Sequence, residues 1–370
     1  MTAHELRIDR SLPLGDEPAT GHNRWHPDIP PALRVSPGDE VFVETRDALD
    51  GQVGPDSTNE DVEKVDLGRV HALSGPVHVE GAEPGDLLAV DLVDVATEGF
   101  GYTLVSPGFG FLRDEFEKPF CVRWELDGGF ATSADLPGVR IPGGPFMGIV
   151  GVAPSRELLE RADRRERAID PASGPVVLPS PLSAVPASEP IASEALSTIP
   201  PRENGGNVDI RQLRAGSRVL LPVFVPGALL SVGDGHFAQG DGEVCGQAIE
   251  AAGSVRFTVT LLKGRGRERN VTSMQLERRV PDPVAAVEAR AWFATTGLCV
   301  DGEGRNAMED LTLAARNALR NMVAHITAEY GYSREQAYVI SSVAVDLKAS
   351  QLVDVPNISI SAFLPLDIFV

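Results

Sequence analysis

Twice in the first hundred residues a Pro-Gly-Asp turn launches an alternating apolar segment. Val35-Ser-Pro-Gly-Asp-Glu-Val-Phe-Val-Glu44 sets Val41 and Val43 on one side. Pro84-Gly-Asp-Leu-Leu-Ala-Val-Asp-Leu-Val-Asp94 does the same with Leu88, Val90 and Leu92. A period of two after a tight turn predicts a strand with one face inside. Repeated turn-plus-strand units predict a sandwich or barrel, and the βαβ alternation of a doubly wound sheet is missing.

The pattern changes along the chain. We read an N-terminal β domain at 1–154, a helix and Pro/Ser/Ala-rich connector at 155–201, and a β-rich plus α+β C-terminal domain at 202–370. Residues 171–201 lack periodicity and predict an exposed connector. Near the end, Leu311, Ala315, Leu319, Met322, Val323 and Ile326 recur as one face of an amphipathic helix. Gly331 suits its C-terminal cap, and Ser333 with Gln336 makes a capping box for a second helix. The fold class expected is mainly β, sandwich- or barrel-like, with a smaller α+β C-terminal part.

The chain has 42% apolar residues and a formal charge of −20. That composition folds, but it offers no clustered basic face for nucleic acid and repels anionic lipid. No run approaches the ~18 apolar residues of a spanning helix. Cys121, Cys245 and Cys299 are few, odd in number and far apart, which predicts a reducing compartment. With no apolar leader visible, a cytoplasmic location is expected.

Chemistry concentrates in Gly233-Asp-Gly-His-Phe-Ala-Gln-Gly-Asp-Gly-Glu243. Asp234, His236, Asp241 and Glu243 are the residue types that bind a divalent cation or move protons. The glycines let backbone pass close to an ion or small substrate. Upstream, Gly205-Gly-Asn-Val-Asp209 is a second Gly-rich turn ending in a carboxylate, linked by the strand-like Val219–Val225. Asp-Gly pairs also make ordinary hairpin turns; the histidine between them favours a site. We expect Asp209, His236 and Glu243 as metal ligands, and Asp234, Glu243, His71 and Asp47 as catalytic groups. Asp47 is included because Glu44–Gln52 packs three carboxylates where a strand gives way to a loop. Cys245, two residues after Glu243, is the alternative nucleophile, with His236 as its base.

Six segments carry a family resemblance: HNRWHPDIPPALRVSPGD (22–39), ETRDALDGQ (44–52), HALSGPVHVEGAEPGD (71–86), TIPPRENGGNVDIRQL (198–213), PVFVPGALLSVGDGHFAQGDGEVCGQAIE (222–250) and SSVAVDLKASQLVDVPN (341–357). Together they resemble the acetamidase/formamidase family over nearly the whole chain. The resemblance implies a mainly β fold, hydrolysis of short aliphatic amides to carboxylate and ammonia, a divalent metal with zinc as the usual one, and homo-oligomers. A cysteine-dependent amidase and a non-catalytic amide-binding β protein are the alternative readings.

Overall fold

The computed structural model describes residues 2–170, 180–284 and 286–370. Two six-stranded sheets face each other. One runs Ala3–Leu6, Glu40–Thr45, Gly253–Leu262, Leu87–Thr97, Arg218–Pro222 and Gln275–Glu277. Only its first pair is parallel. The other runs Gly205–Asn207, Phe146–Gly151, Leu230–His236, Leu73–Val79 and Gly21–His22, with Leu33–Val35 also pairing Leu73–Val79. Between them Val41, Val43, Leu88, Val90 and Phe257 meet Val77, Phe146, Val150 and Val232 in one core. The alternation read from the sequence is the alternation of burial: Glu40–Thr45 is buried at every second residue. The mainly β expectation therefore holds.

Both sheets interleave strands from 1–154 and 202–370, so no break in hydrogen bonding marks those boundaries. Ser155 caps the helix Arg156–Arg167, its side chain accepting from the Leu158 amide. Of the expected exposed connector, residues 171–179 lie outside the described residues. Residues 180–201 differ from the expectation. Leu196–Ser197 pairs with Arg24–Trp25, and Ala184, Ile191 and Ala195 pack on Ile29. The sparse apolar residues there find a surface that no local periodicity announces.

The C-terminal part is α+β. Strands Trp292–Leu298, Ser359–Pro365 and Asp346–Gln351 form a sheet backed by helices Leu311–Tyr330 and Arg334–Ala344. Leu319, Met322, Val323 and Ile326 are buried in its core, while Leu311 stays exposed. Gly297 permits the close helix–strand contact, since a Cβ there would lie 2.2 Å from the Ala314 carbonyl oxygen. Gly331 ends the first helix at φ 76°, and the Ser333–Gln336 capping box opens the second. Among the described residues no helix is long and apolar enough to cross a membrane.

Candidate metal centre

Strand Leu230–His236 pairs with Phe146–Gly151 and carries Asp234 and His236 into the buried middle of the molecule. The register matches Met147 with Gly235 and Ile149 with Gly233, leaving Gly148 across from Asp234. Gly148 is the floor of the site. A Cβ there would stand 2.5 Å from Asp234 Oδ2, 2.6 Å from Asp209 Oδ1 and 2.9 Å from His236 Cε1. The Gly148 carbonyl accepts from the Val208 and Asp209 amides, both at 3.2 Å, and so docks the second Gly-rich turn against the first.

Two overlapping groups converge on His236. One is Asp209, Asp234 and His236; the other is His236, Glu243 and Glu250, with each group's ligand atoms within 4.8 Å of one another. Asp209, Asp234 and Glu243 all occupy left-handed backbone, at φ 47°, 58° and 44°. Side chains other than glycine hold that conformation at a cost of about 1–3 kcal/mol, and such costs gather where geometry serves function.

The hydrogen-bond network fixes the imidazole. Gln239 Nε2 donates to the Asp209 carbonyl at 2.7 Å, so its Oε1 is the acceptor facing His236 Nδ1 at 3.0 Å. Nδ1 therefore carries the proton. Nε2 then points at Asp234 Oδ1, 3.3 Å away, and Glu250 Oε2, 3.2 Å away. Neither contact has hydrogen-bond alignment. His236 Nε2, Glu250 Oε2 and Asp209 Oδ1 are buried without a partner among the described residues. A bare nitrogen facing carboxylate oxygens is repulsive unless a proton or metal ion stands between them.

Electrostatics repeats the point. Burial, Glu243 and Asp234 together push the Asp209 carboxyl well above its ordinary range. Burial pushes Glu243 and Glu250 up to about 8. Asp234 is also buried, but the neighbouring His236 charge outweighs burial and holds it low. His236 is raised despite burial, because Glu250 and Asp234 favour its cation. Four carboxyls around one imidazole cannot all ionise in a dry interior without a further cation. An imidazole with several carboxylates is a donor set for a divalent ion such as zinc or manganese. The orphaned atoms and the space above Gly148 fit such an ion.

Of the residues expected from sequence, Asp209, Asp234, His236 and Glu243 come together. His71 lies close enough for Asp234 and His236 to act on its charge, and burial lowers its basicity. Its amide donates to Thr198 Oγ1 at 2.7 Å, and its Nδ1 lies 3.1 Å from the same hydroxyl. Asp47 does not join them. Its Oδ1 accepts from the Tyr102 hydroxyl at 2.7 Å and the Leu49 amide at 3.0 Å, and its Oδ2 from the Gly51 amide at 2.8 Å. It serves to close its own turn. Asp241 is likewise engaged elsewhere, 2.9 Å from Arg211 Nε.

Sequence reading missed Glu250, which the chain returns to the site through a bridge to His236. A signal existed: Glu250 is a lone acid in Ala-Ile-Glu-Ala-Ala, and such a carboxylate needs a buried partner. Cys245 is disfavoured as a nucleophile. Its thiol is buried, pushed up to about 12, and in contact with the Leu104 and Gln247 carbonyls. All three cysteines are free and buried.

Known proteins resemble the chain along nearly its whole length. The pattern of the Acetamidase/Formamidase family matches residues 7–370. An acetamidase of Mycolicibacterium smegmatis is 41% identical over 360 residues, covering 90% of this chain and 87% of that protein. A formamidase of Methylophilus methylotrophus is 40% identical over 384 residues, covering 98% and 93%. The solved gamma lactamase from Delftia acidovorans superposes with a TM-score of 0.93 at 38% identity, over 99% of this chain and 93% of that one. With a carboxylate–imidazole cluster at its centre and the family pattern along its length, the chain belongs to the acetamidase/formamidase family of amide-hydrolysing enzymes.

Proposed function

We propose that the protein hydrolyses short aliphatic amides of the formamide and acetamide type to carboxylate and ammonia at the His236 cluster. The observation that carries this reading is the unpartnered His236 Nε2 set against buried carboxylate oxygens above Gly148. His236, Asp209 and Asp234 would hold a divalent cation, zinc by family resemblance, and His236 is shared with the second group, Glu243 and Glu250. When bound, such a cation polarises an amide carbonyl and lowers the pKa of a water from 15.7 towards about 7.

The protein's own groups do the rest. Gln239 holds the imidazole in one tautomer and ties it to the Asp209 turn. Glu243, like Asp209, keeps some exposure at the edge of the buried cluster, and the substrate is assigned to that side. It takes the proton of the attacking water and returns it to the leaving nitrogen. Its φ of 44° aims that carboxylate inward from a turn that the Gly240 carbonyl closes. Asp234 fixes the charge beside His236. His71, kept neutral by burial, lends a polar contact to the carbonyl end. Glycine-rich backbone around 233–243 offers amide donors to the oxyanion, each worth about 3 kcal/mol.

The test is ammonia release from amides of one to four carbons, with metal analysis of the same sample. Turnover with about one divalent ion per chain is expected. No ammonia from any of them, with zinc or manganese supplied, sinks the reading. A cyclic amide is the second reading, favoured by the likeness to the gamma lactamase, and γ-butyrolactam belongs in the same panel.

Two coarser inferences accompany it. A homo-oligomer is favoured by the family resemblance and by Trp292, Leu298, Val353 and Val355, apolar side chains left open on the C-terminal sheet and its loop. Light scattering reporting only a 39.4 kDa species would remove it. A cytoplasmic location is favoured by three cysteines that are free.

A further inference from the structure

Across Gln239 from the cluster lies a cavity of about 50 Å³, walled by Ile141, Gly144, Arg214, Gln239, Val284 and Val343, and also by Asp346, whose charge Arg211 offsets. One water needs ~10–15 Å³ on this measure, so a few waters or one small organic ion fit. The other arginines at its rim are engaged. Arg211 pairs with Asp241 and Asp346, and Arg290 with Asp367. Arg214 is different. It is buried, with 9% exposure, and its Nε finds no hydrogen-bond partner among the described residues. Among the described residues its one ion pair is Nε to Asp282 Oδ2 at 3.1 Å, without hydrogen-bond alignment. Gly144 leaves room beside Nη1, where a Cβ would come within 2.8 Å.

We propose that this cavity binds a short-chain monocarboxylate through Arg214, making it a station for the acid product; the product role rests on the function proposed above. A planar guanidinium matches a carboxylate with two parallel hydrogen bonds. Ile141, Val284 and Val343 supply an apolar wall for the methyl or short alkyl end. A neutral amide has no charge to offer, so the cavity selects product over substrate. Burial, with Arg211 and Arg278 nearby, disfavours the Arg214 cation more than Asp282 supports it, which an incoming anion would relieve.

The experiment titrates sodium acetate into the full-length, metal-loaded enzyme by calorimetry, with sodium chloride as the ionic-strength control. The wild type should bind two acetates, one at the cluster and one at the cavity. Arg214→Gln should weaken one of them by about tenfold or more. Val284→Asp should do the same with Arg214 intact, because Val284 Cγ atoms and Arg214 Nη1 flank the same point at Gly144. Both variants should keep the initial rate of ammonia release and slow less as acetate accumulates. Added acetate tests entry from solvent; acetamide turnover tests filling from the cluster. A single acetate in the wild type, or equal binding in folded variants, overturns the proposal. Arg214-dependent acetate binding without any amide turnover would instead sink the function and leave the site standing.

Discussion

Two buried imidazoles touch the same strand and behave in opposite ways. His236 closes strand Leu230–His236; His22 reaches it through Ser231 Oγ at 2.7 Å. Both are 1% exposed. His22 is saturated, since its other nitrogen meets the Arg24 carbonyl at 2.6 Å. Burial outweighs the Arg24 carbonyl, which favours the cation, and lowers its pKa to about 4. His236 has one nitrogen satisfied and the other facing carboxylates, and its pKa rises. Burial is common to both; the unfinished hydrogen bonding is what separates a site from a core histidine.

The sharpest way to break this contrast is to remove each ring. His236→Ala should cost activity by about a thousandfold or more, with loss of bound metal. His22→Ala should keep metal and rate but lower stability by about 1–3 kcal/mol, the penalty for stranding buried partners. Metal analysis, kinetics and urea denaturation on both variants decide it. Full metal and activity in the His236 variant would erase the distinction.

A second variant probes space instead of ligands. Gly148→Ala puts a methyl 2.5 Å from Asp234 Oδ2. Activity should fall by about a hundredfold, with metal affinity falling too, while circular dichroism stays native. Unchanged metal affinity would mean that the floor is not part of the cradle.

The third test uses pH. His22 titrates near 6.5 unfolded and about 4 folded, so the unfolded chain takes its proton first. Stability from this group is complete above pH 6.5 and is lost as pH falls towards 4, by about 3 kcal/mol in total. Urea midpoints at pH 7 and 4.5 should differ less in His22→Gln than in the wild type. Equal slopes would deny His22 its neutral, buried state.

The smallest effect is expected at Cys245. Cys245→Ala should retain more than about a tenth of the rate, because a true nucleophile costs orders of magnitude when removed. A thousandfold loss with the fold intact would move the chemistry from the cluster to the thiol.

Much of this was legible in the chain. Val41, Val43, Leu88 and Val90 announce their strands because a half-buried strand alternates by geometry. The Gly233–Glu243 run announces its acids and imidazole because ions need oxygen and nitrogen donors on supple backbone. What stayed hidden is long-range. Glu250 joins only after a turn and a bridge, and Asp47 is drawn off by Tyr102, fifty-five positions away. Gly148 was visible as a glycine inside an apolar strand, a known sign of close backbone approach, but nothing local says what approaches. Residues 180–201 pack against Arg24–Trp25 and Ile29, partners far away in sequence.

The left-handed backbone at Asp209, Asp234 and Glu243 carries a consequence for selection. Glycine at any of these positions would relax the chain by up to about 1 kcal/mol and remove a crowded negative charge as well. A screen for thermal tolerance alone would therefore drift towards losing the very acids that gather round His236. Activity and durability pull against each other at these three positions, so heat-hardened variants worth keeping will carry their changes elsewhere.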